Sequence, residues 1–180
     1  MKYLAILIAM SAPSALFAQS CSDWNTYEFW EVATPDVVTS CLGSNDATSS
    51  ANNDKYALHY AAVGSDLPEV IQILIDAGGD VDKPDARGTT PLHAAAGNQN
   101  ADIIGTLIDA GADLSAAGEG GATALHIVAL NNSPSALTRL MDAGADIYAE
   151  DWDGNTPFDY AKRGQSDHSL NNYIILKQAM

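Results

Sequence analysis

Apolar positions in this chain repeat on two scales. The short one is helical: Val70, Ile71 and Leu74 recur at spacings of one and three residues, as do Ile103, Ile104 and Leu107, so each set shares one helix face. The long one is a sequence repeat. IDAGGDV from Ile75, IDAGADL from Ile108 and MDAGADI from Met141 follow one another at 33 and 33 residues. ALHYAA from Ala57, PLHAAA from Pro91, ALHIVA from Ala124 and PFDYAK from Pro157 step by 34, 33 and 33. A period of this length marks a stack of small units that bury a core only against one another.

Each unit reads as two helices and a loop. Thr90, Thr123 and Thr156 occupy N-cap positions, and Pro91 and Pro157 follow at the first helical position, where a missing N–H is harmless. The helix behind them is rich in alanine, whose small side chain lets neighbouring backbones approach. A second helix start recurs at Thr34-Pro35, Leu67-Pro68, Asn100-Ala101 and Ser133-Pro134. Gly78, Gly111 and Gly144 end those helices, where a left-handed residue is wanted. One period earlier Asn45 stands in the glycine's place, the next best residue for that conformation.

The pattern therefore predicts a degenerate first unit. Its first helix runs over 23–33, with Trp24, Phe29 and Trp30 covering the open end, and its second over Pro35–Leu42. The tail, 166–180, supplies the last second helix through Leu170, Tyr173, Ile174 and Leu176. The chain divides into a leader over 1–18, a lead and capping repeat over 19–53, three central repeats over 54–153, and a C-terminal capping repeat over 154–180.

With GTTPLHAAA, the helix pairs and the DAGAD segments, the chain resembles the ankyrin repeats over residues 22–180. The resemblance implies an all-α solenoid of helix-turn-helix units joined by β-hairpin-like loops, about five units with degenerate capping repeats. It also implies binding to another protein, through the hairpin tips and the ends of the first helices. At matching positions these are Lys55 and Val63; Arg87, Thr89 and Asn98; Glu119, Ala122, Leu130 and Asn131; and Trp152, Asp153, Asn155 and Arg163. Trp152 and Leu130 are the expected apolar anchors, while Tyr60 and Ile127 sit at a core-facing position. His59, His93 and His126, with Thr90, Thr123 and Thr156, are implied to hold the turns by bonding backbone groups of their own and the adjacent unit. The chain departs from the family between the two helices, where GSDLPEV, GNQNADI and NNSPSAL replace the usual glycine-histidine pair. That rewrites one edge of the stack and leaves the fold alone.

Composition adds a compartment and a sign. Lys2 followed by an apolar run over 3–10 reads as a secretory signal peptide, too short to span a bilayer. Cleavage after Ala18 is the preferred site and after Ser20 the alternative. The resemblance is then to small exported ankyrin proteins of Gram-negative bacteria, which points to the periplasm. Loss of Lys2 with the leader takes the formal charge from −15 to −16. Such acidity disfavours nucleic acid and anionic membrane, and no later segment is long and apolar enough for insertion; the charge either keeps an alanine-rich protein soluble or favours a basic partner protein. The two cysteines, Cys21 and Cys41, pair in an oxidising compartment. A lipidated or free Cys21 is the alternative.

Candidate chemistry is thin. Neighbouring units stack about 8–10 Å apart, whereas zinc needs each nitrogen within about 2.1 Å, so the three histidines do not read as metal ligands. His168 has no partner at ligand spacing. DWDGN, over 151–155, lacks both essential carboxylates of a calcium loop, and GEGGAT, over 118–123, lacks the lysine of a phosphate loop. No cofactor, metal or catalytic residue is expected. The sequence reads as a non-catalytic binding module, or alternatively as an accessory or maturation factor for a periplasmic enzyme, or an immunity protein against a toxin.

Overall fold

The computed structural model describes residues 21, 24, 26–42, 56–98, 100–131, 133–163 and 170–180. The expected leader, Asn45, Lys55 and His168 lie outside the described residues. Among the described residues the chain is all helical, with ten α-helices and no strand. In chain order they are α1 (Tyr27–Val32), α2 (Pro35–Leu42), α3 (Ala57–Gly64), α4 (Pro68–Asp76), α5 (Pro91–Asn98), α6 (Ala101–Asp109), α7 (Ala124–Asn131), α8 (Pro134–Asp142), α9 (Pro157–Arg163) and α10 (Leu170–Ala179). Odd-numbered helices pack on one another to form one layer, and even-numbered helices form the second behind it.

The layers meet over a continuous apolar seam. Val70, Ile71 and Leu74 on α4, Ile103, Ile104 and Leu107 on α6, and Leu137 and Leu140 on α8 are buried to 1 % exposure or less. Each such side chain contributes about 1.5–3 kcal/mol on burial. The even helices stop as predicted from their glycines. Gly78, Gly111 and Gly144 have φ of 94°, 90° and 94°. Around Gly78 the N–H of Gly79 reaches Leu74 C=O at 2.9 Å and that of Gly78 reaches Ile75 C=O at 2.9 Å, which satisfies two orphan carbonyls.

The ends differ from the pattern in detail. The first helix expected over 23–33 is only Tyr27–Val32, because Thr26 accepts the Phe29 N–H and starts it late. The Trp24 carbonyl is taken by the Trp30 indole at 2.8 Å. Trp24, Phe29 and Trp30 are buried together, and Gly64 lets them come close, since a Cβ there would meet Trp30 Cβ at 2.8 Å. Cys21 and Cys41 lie at disulfide distance with Cα atoms 5.3 Å apart. That fastens the N-terminal lead to α2 and is compatible with an oxidising compartment.

At the other end Leu176 is buried but Ile174, expected inside, is 41 % exposed. Asn172 faces inward instead, donating to Val128 C=O at 2.9 Å and Ala129 C=O at 3.4 Å on α7. Carbonyls at the end of α7 thus draw a polar side chain into the closing helix.

Candidate protein-binding surface

The turns that present this surface are built by one device. The N–H of Thr90 donates to His93 Nδ1 at 3.2 Å, which makes Nδ1 an acceptor and leaves the ring proton on Nε2. Nε2 then donates to Ala122 C=O in the next hairpin at 3.1 Å. His126 does the same, accepting from Thr123 N–H at 3.1 Å and donating to Asn155 C=O at 3.1 Å. His59 accepts from Tyr56 N–H at 3.3 Å and donates to Thr89 C=O at 2.8 Å. The hydroxyls of Thr90 and Thr123, expected to accept from the helix, are turned toward the imidazoles at 2.8 and 2.9 Å. A ring placed three residues into each helix competes successfully for them.

The hairpins themselves are tight turns. Asp85 N–H bonds Thr89 C=O, Gly118 N–H bonds Ala122 C=O and Asp151 N–H bonds Asn155 C=O, each at 2.9 Å. In the first and last, the aspartate carboxylate also accepts N–H groups of its own turn: Arg87 and Thr89 on Asp85, Asp153 and Asn155 on Asp151. The middle turn has Gly118 instead, where a Cβ would stand 3.0 Å from His93 Nε2.

Along the tips the expected residues separate into two groups. Arg87 and Glu119 pair at 3.6 Å with side chains 66 % and 70 % exposed, a link worth little in water. Trp152 is 78 % exposed yet held: its N–H donates to Gly120 C=O at 3.0 Å, and its indole lies over Gly121, where a Cβ would come within 2.7 Å of Nε1. It leans on the preceding unit's tip. Leu130, at the end of α7, is 41 % exposed, and Val63, Asn98 and Asp153 are also exposed.

The other group is engaged internally. Ala122, expected at the surface, is buried because its carbonyl serves the His93 clasp. The Asn131 amide reaches back to Ala96 and Gly97 carbonyls at 3.4 and 3.5 Å. Asn155 donates its side-chain amide to Asp151 and accepts at Oδ1 from Arg163, whose guanidinium lies 5.5 Å over the Tyr160 ring.

Between the second and third units the inner face opens into a groove of about 400 Å³. Four expected residues, Val63, Arg87, Thr89 and Asn98, line it together with Ala94 and Gly97.

A family model of ankyrin repeats in three copies matches residues 31–118, and one of ankyrin repeats in many copies matches residues 107–161. The chain belongs to the ankyrin-repeat family. No curated protein matches it. Ankyrin repeats are protein–protein interaction modules and are generally non-catalytic.

Electrostatics in this ankyrin stack follow the clasps. Burial lowers the pKa of His93 and of His126 below 6.5, and the carbonyls that accept their Nε2 protons only partly offset it. Asp159, which takes the histidine's place in α9, accepts from Thr156 N–H at 3.1 Å and its hydroxyl at 2.8 Å. Those bonds, with Lys162 at 3.1 Å, hold its carboxyl at about 2. Burial pushes Asp151 up, but donors from Asn155, Tyr160 and Asp153 outweigh it and bring it to about 2.

Sequence reasoning missed Asp159, Asp85 and Asp151 as turn residues, and the Ala94–Gly97 floor of the groove. Comparing the four copies column by column carries the signal for the first and last of these. Asp159 stands under three histidines, and Ala94 and Gly97 stand between larger residues.

Proposed function

We propose that this protein is an exported, non-catalytic module that binds another protein along its hairpin tips and inner face, in the periplasm. The observation that carries the reading is Trp152, 78 % exposed but seated on Gly121. A rigid aromatic side chain loses little conformational entropy when a partner covers it, which is why such residues dominate interface energetics. Leu130 is the second anchor, and Arg87, Glu119 and Asp153 form the polar rim around the path between them. The formal charge of −15 supports a basic partner, steered by long-range attraction.

The test has two steps. Cross-linking and capture from periplasmic extract identifies the partner, whose affinity is then measured with Trp152→Ala combined with Leu130→Ala. We expect a loss of about 2–3 kcal/mol, roughly 30- to 150-fold, with the melting temperature little changed, because both side chains are exposed. Unchanged affinity in the double variant removes these anchors from the interface.

A further inference from the structure

The groove between α3 and α5 exists because one unit is cut down. At the fourth position of the odd helices stand Tyr60, Ala94, Ile127 and Tyr160, and at the seventh stand Val63, Gly97, Leu130 and Arg163. Only the α5 copy is small at both. Val63 on α3, 36 % exposed, rises on one side, so Ala94 and Gly97 form the low wall of a notch that His59, His93, Thr89 and Asn98 also line.

Among the described residues no close contact requires a glycine at 97. A glycine inside a helix is destabilising by about 1 kcal/mol relative to alanine. At the other α-helical glycines a Cβ would meet a neighbour: Trp30 Cβ at 2.8 Å from Gly64, and the Arg139 guanidinium at 2.5 Å from Gly105. A Cβ at Gly97 meets nothing within 4 Å, and its φ is not positive. The space above it is open and lies on the groove.

The lining also has a sign of its own. Asp85 is 8 % exposed and its carboxylate is used by the Arg87 and Thr89 amides, so the exposed charge of the lining is the Arg87 guanidinium. Glu119 pairs with it only loosely, at 3.6 Å in the open. An otherwise acidic molecule therefore presents a cation at this one notch.

We propose that the groove over Ala94 and Gly97 is a specificity pocket for one large apolar side chain of the partner protein, with a carboxylate beside it to meet Arg87. The proposal rests on the reading of the protein as a binding module and names what enters its inner face. The basic surface that long-range charge favours then meets the acidic tips at Glu119 and Asp153, not the notch.

The probes are N-acetyl-Trp-Glu-amide, the same dipeptide with lysine for glutamate, and the same with alanine for tryptophan. They are titrated into the 15N-labelled full chain while the amide signals of Ala94, Gly97 and Asn98 are followed. We expect saturable shifts there with Trp-Glu, affinity lowered several-fold with Trp-Lys and at least tenfold with Ala-Glu. Gly97→Leu fills the notch and should abolish the shifts while leaving the melting temperature the same or higher. Partner affinity of the Trp152→Ala, Leu130→Ala double variant, measured without the dipeptides, separates failure of the tip anchors from failure of the notch. Absence of shifts, equal binding of Ala-Glu, or binding retained in Gly97→Leu overturns the proposal.

Discussion

His93 and Asp159 hold the same place in two successive kinds of unit, one inside the stack and one at its end. His93 closes its own helix by accepting the Thr90 N–H, and it also bridges to Ala122 in the next hairpin. Asp159 accepts the N–H and hydroxyl of Thr156 and, among the described residues, bonds Lys162 and no carbonyl of another unit, since a carboxylate has no proton to donate. The difference shows that the position does two jobs. Capping needs only an acceptor, and a carboxylate suffices. Coupling to the next unit needs a donor as well, which neutral imidazole supplies and carboxylate does not.

The comparison can be tested from its strongest side first. His93→Ala removes both bonds and leaves the Thr90 N–H and Ala122 C=O buried without that partner. We expect a loss of about 3 kcal/mol in chemical unfolding, and an earlier, broader transition if the units uncouple. His93→Asp should restore the cap and only part of the stability. Full restoration by aspartate would show that the bridge to Ala122 contributes nothing.

Acid gives the next effect. In the folded chain Nδ1 of His93 and of His126 already accepts an N–H, and burial holds both pKa values below the ordinary 6.5. The unfolded chain therefore takes up protons first. This stability is fully present above pH 6.5 and is lost as pH falls through the lowered folded values, each histidine adding a slope of at most about 1.4 kcal/mol per pH unit. Asp151 and Asp159, at about 2, produce a second loss that begins below their unfolded value of 3.8 and ends as pH passes through about 2. Denaturant midpoints between pH 7.5 and 5 that do not move would show that the ring protonation is not linked to folding.

Asp159→Ala should cost about 1 kcal/mol, the usual effect of losing a cap. The smallest change is expected for Asp159→His, which keeps an acceptor at the helix start, and should shift stability by less than about 0.5 kcal/mol. A large gain from Asp159→His, read by the same unfolding curves, would mean that the ring finds a partner in the last unit after all.

Much of this was legible from residues alone. The recurrence of ALHYAA, PLHAAA and ALHIVA places the three histidines in one column, and the DAGAD glycines place the helix ends where Gly78, Gly111 and Gly144 show positive φ. What escaped depends on neighbours across units. Ala122 reads as a tip residue in its own loop, yet the ring of the preceding unit claims its carbonyl and buries it. Ile174 fits a helical stripe, yet α7 offers free carbonyls and Asn172 turns inward to meet them.

The sequence by itself determined the repeat, the helix pairs, the acidic balance and the residues able to cap a turn, because these follow from local periodicity and side-chain chemistry. Only the tertiary structure decided which of the tip residues stay free, that Trp152 rests on the glycines of the preceding unit, and that Ala94 and Gly97 line an open notch beside Val63. Those outcomes depend on the relative height and register of adjacent units, which packing sets across about thirty residues of intervening chain.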